Sequence, residues 1–243
     1  MMKLSVPKQH GAWAMLFVPY WLEASAAHFT WPQFVTFFAW VSLYLSVYTG
    51  FSLLKTNNQT KKKQYKQSFL IYSAIAFVLI VCSLLSNWLI LLVGCCMLPF
   101  FCINIYYAKR KNERSLVNDI AAVCIFSIGG LAACLSANSS IDRQALEIAV
   151  LNVLFFVGTA LYVKTMIRKR KSLSYHYLSW IYHFLMVLLP VLGGNFLIAL
   201  AFFPGLLRSL IMYGKSVKIL TIGIIEIINA AFFFIILLIA IHA

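Results

Sequence analysis

The chain has 243 residues, of which 63% are hydrophobic and 11% charged, with 20 Lys and Arg against 6 Asp and Glu. Soluble domains average roughly 45–50% apolar and about 25% charged residues, so this composition excludes a soluble protein and indicates a lipid bilayer as the solvent. The net charge of +14 does not predict a nucleic-acid partner. The bases border long apolar runs, whereas nucleic-acid binding needs a basic face on a soluble fold.

Nine apolar runs follow one another along the chain, each of about 17–23 residues, the length at which a helix crosses a bilayer core. We predict an all-α, polytopic membrane helical bundle of about nine transmembrane helices, built as one integral membrane domain over residues 1–243. The predicted helices are Gly11–Ala27, Gln33–Leu54, Ser68–Leu85, Trp88–Tyr107, Leu116–Ser136, Ala145–Met166, His176–Leu192, Asn195–Tyr213 and Ile219–Ile241.

Lys and Arg residues mark alternate connectors between these runs. Eighteen of the 20 lie in the amino-terminal arm or in and beside the second, fourth, sixth and eighth connectors. The remaining connectors hold only Arg143, and Arg208 lies inside the eighth run. Because bases are enriched on the cytoplasmic side of membranes, this asymmetry predicts a cytoplasmic amino terminus and an external carboxyl terminus. An odd number of helices agrees with this arrangement, because it places the two termini on opposite sides of the membrane.

The predicted cytoplasmic side carries bases and hydroxyls that suit a phosphate on a lipid tail. The same charges also accompany ordinary membrane topology without any ligand, and the amino-terminal pair also suits an interfacial anchor. The ligand-binding candidates are Lys8 and His10 before the first helix, Tyr107, Lys109 and Arg110 at the end of the fourth, Tyr162, Lys164 and Arg168 at the end of the sixth, and Arg208 in the eighth.

Ionisable residues inside spans form a second group of candidates, because burying a charge in a bilayer is costly and such residues usually serve function or pair with each other. Glu23, His176, His183 and Glu226 would together line a polar cavity. The two histidines are seven residues apart and share a helix face. The alternatives are a structural ion pair between Arg208 and Glu226, and histidines that hydrogen-bond neighbouring helices.

Metal and cofactor motifs are missing from the sequence. The six cysteines lie in apolar runs without a CxxC or Cys/His spacing, and no HxxxH, HExxH or GxSxG motif occurs. Such cysteines ordinarily act as small buried apolar residues. We therefore expect no metal and no cofactor.

The segment Pro7-Lys8-Gln9-His10-Gly11-Ala12-Trp13-Ala14-Met15 resembles the signature of the YwiC-like family of bacterial membrane proteins. The resemblance runs through the whole chain, including Pro19, Arg208 and the base-rich sixth connector, and implies a bacterial plasma-membrane location. The organisation in turn is similar to that of UbiA-type membrane prenyltransferases, which have nine helices in this orientation. Their fourth helix ends in a Tyr and Lys-Arg, as Tyr107-Ala108-Lys109-Arg110 does here.

The similarity to UbiA-type enzymes implies a UbiA-like arrangement with a ligand site at the cytoplasmic mouth. Those enzymes hold Mg²⁺ and a prenyl diphosphate with Asp-rich motifs after helices two and six, whereas residues 55–63 and 164–171 contain no acid here. Because Mg²⁺ needs hard oxygen ligands, an ordinary transferase reaction is not expected.

The resulting expectation is a protein that binds or transforms a polyisoprenoid or an anionic lipid, with membrane lipids or a lipid phosphate as partners. As an enzyme it would be a degenerate or metal-independent transferase. Two alternatives stay open from the sequence: a small-solute transporter or permease that uses the polar residues in the spans, and a non-catalytic membrane assembly factor.

Overall fold

A computed structural model describes residues 4–7, 10–138 and 140–243, with only the backbone of His10. Within these residues the chain forms nine α-helices and no β-strand. The helices are α1 (His10–Ala26), α2 (Trp31–Lys55), α3 (Gln59–Ser86), α4 (Ile90–Lys109), α5 (Leu116–Ala137), α6 (Arg143–Ile167), α7 (Leu173–Leu192), α8 (Phe196–Ile211) and α9 (Ile219–His242).

Seven of these helices are long and apolar enough to cross a membrane. The other two are shorter, with 17 residues in α1 and 16 in α8. The structure therefore confirms the predicted class, a multi-pass helical bundle embedded in a membrane.

The second, fourth, sixth and eighth connectors meet at one end of the bundle, as the charge pattern predicted. Lys55 at the end of α2 forms an ion pair with Glu113 in the α4–α5 connector. Arg170 in the α6–α7 connector donates a hydrogen bond to the carbonyl oxygen of Gly214, before α9, over 3.2 Å. We call this the base-rich end.

The remaining connectors meet at the other end, which we call the opposite end. Asn87, between α3 and α4, donates to the carbonyl oxygen of Leu135 in α5 over 2.7 Å. Gln144 at the start of α6 donates to the carbonyl oxygen of Ile241 at the end of α9. Contacts at both ends show that successive helices run in opposite directions.

Helix α3 begins at Gln59, nine residues before the predicted start at Ser68. The side chain of Asn58 accepts a hydrogen bond from the backbone N–H of Lys61 over 3.1 Å and so caps the helix. Part of the lysine-rich second connector is therefore helical, and this correction arises because a polar cap starts the helix outside the apolar run. The other predicted helix ends lie within three residues of the observed ones.

The largest apolar core lies between α1, α5, α6, α8 and α9. At its centre the rings of Phe155 and Phe233 stack with their centroids 3.9 Å apart. Helices α3 and α4 lie outside this core. The former packs on α2 and the latter on α5, and only three of their apolar side chains, those of Tyr72, Ala76 and Val93, are buried.

A close backbone contact holds α1 and α5 together at Gly130. A Cβ atom at Gly130 would lie only 2.9 Å from the carbonyl oxygen of Pro19, so the two backbones touch where no side chain intervenes. Small residues allow this approach in membrane helices. The same contact places Glu23 of α1 directly against α5, where the Gly130 Cβ would be 3.1 Å from its Cγ.

Candidate functional site

A cavity of about 370 Å³ lies at the base-rich end, between the α4–α5 connector, the start of α5, the end of α6 and the first turn of α7. Its volume is within the range of roughly 300–1,000 Å³ that is usual for small-molecule sites. We call it the basic cavity, because four of its lining residues are bases and none is an acid. The lining consists of Asn112, Arg114, Ser115, Leu116, Val117, Lys164, Arg168, Lys169 and Tyr175.

Lys164 forms the inner wall of the basic cavity and is only 5% exposed. Its ammonium group donates to Asp119 Oδ2 over 2.5 Å and to the carbonyl oxygen of Arg114 over 2.7 Å. A buried ammonium group needs such partners, because desolvating an unpaired charge is costly. Lys164 therefore ties the end of α6 to the first turn of α5, and Asp119 neutralises its charge.

The remaining positive charges of the basic cavity belong to three exposed side chains. Arg168 donates to the carbonyl oxygen of Arg114 over 3.4 Å. The ammonium group of Lys169 lies 5.4 Å from the centroid of the Tyr175 ring. The Arg114 guanidinium forms no hydrogen bond or ion pair with any described residue. None of these three cations is paired with an acid among the described residues, so each can meet an anion.

Helix α5 begins at the wall of the same cavity. Leu116 and Val117 are its first two residues, and the side chain of the preceding Ser115 makes no capping hydrogen bond. The first backbone N–H groups of a helix lack intrahelical partners and carry partial positive charge. They add neutral donors to a site whose charged donors are Arg and Lys, a combination that suits phosphate.

The ligand-binding candidates from the sequence are divided among several places. Lys164 and Arg168 line the basic cavity, whereas Tyr107, Lys109 and Arg110 at the end of α4 do not. The Arg110 guanidinium instead lies over the ring of Tyr106, 4.5 Å from its centroid. Lys8 lies outside the described residues, and His10 begins α1 without a described side chain.

Arg208 and Tyr162 lie together, but deeper than the basic cavity. The Arg208 guanidinium stands 4.5 Å from the centroid of the Tyr162 ring and forms an ion pair with Glu226 of α9. It also donates to the hydroxyl of Thr159 over 3.2 Å. Arg208 and Glu226 are 7% and 5% exposed. The structure thus contains the ion pair that the sequence offered as an alternative to a ligand role.

The structure places the predicted polar-cavity residues, Glu23, His176, His183 and Glu226, in different surroundings. His183 shares a small cavity with Arg208, of about 10 Å³, which is room for one water molecule. Its Nδ1–H donates to the carbonyl oxygen of Ser179 over 2.7 Å.

The other two residues lie elsewhere. His176 is hydrogen-bonded to the carbonyl oxygen of Arg170 and so holds the α6–α7 connector. Glu23 lies near the opposite end, three residues before α1 ends. Only His183 and Glu226 come near each other, because Arg208 shares the small cavity with His183 and forms the ion pair with Glu226.

Comparison with known proteins places the chain in a family. The YwiC-like protein family matches residues 6–134, which is slightly more than half of the chain. The chain belongs to the YwiC-like family.

Two full-length relatives agree with that assignment. An uncharacterized protein of Haemophilus influenzae is 38% identical over 239 residues, covering 98% of this chain and 99% of that protein. The uncharacterized protein YwiC of Bacillus subtilis is 39% identical over 233 residues, covering 96% of each. No solved structure matches the chain, so the similarity of its organisation to UbiA-type prenyltransferases stays a prediction.

Two residues of the basic cavity were not among the candidates from the sequence: Arg114 and Lys169. Arg114 directly precedes Ser115, the residue before α5, so a base beside a helix start was the signal available. The partner of Asp119 is 45 residues away in the chain, and no local pattern reveals such a pair.

Proposed function

We propose that this YwiC-like membrane protein binds the phosphate-bearing head group of an anionic lipid or polyisoprenoid in the basic cavity. The observation that carries the proposal is the lining itself, which brings four bases to one cavity of about 370 Å³ without an acid. Asp119, which contacts Lys164 from outside that lining, offsets one of the four charges. The three charges of Arg114, Arg168 and Lys169 remain for a ligand.

Phosphate fits this group of donors better than a carboxylate does. The two guanidinium groups offer planar pairs of N–H donors, which match phosphate oxygens, and the α5 amino end adds backbone donors. The lining has no carboxylate that would hold Mg²⁺ beside a diphosphate, and Asp119 is occupied by Lys164. The lining therefore favours a site that binds a phosphate head group over a site for a metal-assisted transfer reaction.

A lipid is favoured over free phosphate because apolar side chains at the start of α5 border the cavity. Val117 lines the basic cavity, and its side chain is 50% exposed on a helix that runs on through the apolar part of the bundle. The ring of Tyr175 borders the same cavity. A head group bound by the bases would leave its chains beside the apolar surface of α5.

We further propose that the base-rich end faces the cytoplasm and that the membrane is the bacterial plasma membrane. The concentration of bases in connectors at one end supports this orientation through the positive-inside rule. A reporter fused after Ala243 tests it, because a fusion that is active only outside the cytoplasm is expected. Fluorescence from a reporter that folds only in the cytoplasm would contradict the orientation.

Charge reversal tests the lipid proposal with a matched control. The purified full-length protein would be titrated with vesicles of neutral lipid containing phosphatidic acid, and separately with inorganic phosphate. Arg168→Glu is expected to weaken vesicle binding by about 1 kcal/mol or more, because attraction is replaced by repulsion. Lys62→Glu makes the same charge change on the exposed start of α3, away from the cavity lining, and is expected to have little effect.

Equal losses for Arg168→Glu and Lys62→Glu would mean that only diffuse surface charge attracts the vesicles, and the proposed site would be wrong. Arg114→Gln provides a second variant that removes a free guanidinium without placing an acid beside Lys164. Binding of inorganic phosphate with the same strength as the vesicles would remove the lipid from the proposal.

A further inference from the structure

Glu23 differs from the other acids of this chain. The sequence has six Asp and Glu residues. Four of them form ion pairs, namely Glu113 with Lys55, Asp119 with Lys164, Glu147 with Arg143 and Glu226 with Arg208. The fifth, Asp142, caps α6 by accepting a hydrogen bond from the backbone N–H of Ala145 over 2.8 Å. Glu23 is the sixth, and neither of its carboxyl oxygens has a hydrogen-bond partner among the described residues.

The side chain of Glu23 is completely enclosed, with an exposure of 0%. It is held there by the close α1–α5 contact at Gly130. A hydrogen-bond network fixes the same part of α1, since Gln33 of α2 donates to the carbonyl oxygens of Ala24 and Ala133, each over 3.2 Å. The carboxyl group therefore cannot turn into water while the helices stay packed.

The titratable groups facing Glu23 from neighbouring elements do not compensate a negative charge. From α5 the thiol of Cys134, and from the start of α6 the carboxylate of Asp142, lie close enough to interact with it electrostatically. Neither group is a cation. The basic residue of the connectors at this end, Arg143, is exposed and paired with Glu147.

We propose that Glu23 is a proton-binding site enclosed near the opposite end of the bundle, and that the carboxyl group carries its proton at neutral pH. An ionised carboxylate without a partner in an apolar interior is destabilised by several kcal/mol or more, and the group takes up a proton instead. The position lies only about 5 Å of helix length below the end of α1. Proton exchange therefore takes place at the opposite end, beside Asp142, and not through the basic cavity.

Infrared spectroscopy tests the protonation state directly. The full-length protein and Glu23→Gln would be compared at neutral pH in the same detergent or vesicles. The carbonyl stretch of a protonated carboxylic acid is expected in the wild-type protein and is expected to disappear in the variant. Loss of carboxylate bands instead would show an ionised Glu23, or one that binds a metal cation, and would overturn the proposal.

Discussion

Two buried acids in this bundle are accommodated in different ways. Glu226 on α9 is 5% exposed and forms an ion pair with Arg208 on the neighbouring α8. Glu23 on α1 is 0% exposed and has no hydrogen-bond partner in the part of the chain that the structure describes. Similar burial thus does not determine the charge of a carboxyl group, because the cations within reach decide whether ionisation is tolerated.

The supply of cations differs between the two ends of the molecule. Most Lys and Arg residues lie at the base-rich end, and Arg208 is in the last turn of α8 at that end. Among the described residues, the one Lys or Arg at the opposite end is Arg143, which is exposed and paired with Glu147. The charge asymmetry that orients a membrane protein therefore also decides which buried acids find a partner.

The largest expected effect comes from the paired acid. Glu226→Gln leaves the Arg208 charge buried without its counterion and should lower the free energy of unfolding by about 3–5 kcal/mol. Thermal unfolding of the purified protein in detergent measures the loss. The double variant Arg208→Met, Glu226→Leu removes both charges and should recover most of it. A single variant as stable as the wild-type protein would show that the ion pair contributes nothing.

An intermediate effect is expected where α1 touches α5. Gly130→Ala places a Cβ 2.9 Å from the Pro19 carbonyl oxygen, so the backbones must separate. Such overpacking should reduce stability by about 1–3 kcal/mol and open the enclosure of Glu23. The matched control is Gly94→Ala on α4, whose Cβ would meet nothing within 4 Å. Equal stability of the two variants would show that the contact does not constrain α1.

The smallest effect is expected at the unpaired acid. Glu23→Gln replaces a protonated carboxyl group by a neutral group of similar shape, so the change in unfolding free energy should stay below about 1 kcal/mol. The measurement compares the loss of unfolding free energy in Glu23→Gln with the loss in Glu226→Gln in the same unfolding assay. If the two substitutions cost the same, Glu23 is ionised and paired, and the comparison between the two acids no longer holds.

The fold could be predicted from the sequence because apolar run length and charge alternation act locally along the chain. All nine helices and the gathering of basic connectors followed from them. The start of α3 was missed because a single cap, Asn58, extends the helix through lysines that apolar patterning excludes.

The candidate site could be predicted only in part. Lys164 and Arg168 follow from their place in a basic connector, and Arg208 and Glu226 from the cost of lone charges in a membrane. The contact between Lys164 and Asp119, and the enclosure of Glu23 by α5, depend on which helices become neighbours. The local sequence does not show which helices pack against each other.

The extended start of α3 has a consequence for the membrane surface. The helix has 28 residues and is therefore about 42 Å long, against roughly 30 Å for a bilayer core. Its first two turns carry Lys61, Lys62, Lys63 and Lys66, and no acid, at the positive end of the helix macrodipole. A positive charge in the first turn disfavours the helix by about 0.3–1 kcal/mol, and nearby anions relieve this effect. The helicity of this segment should therefore rise with the anionic lipid content of the adjacent leaflet, which circular dichroism in vesicles of stated composition measures.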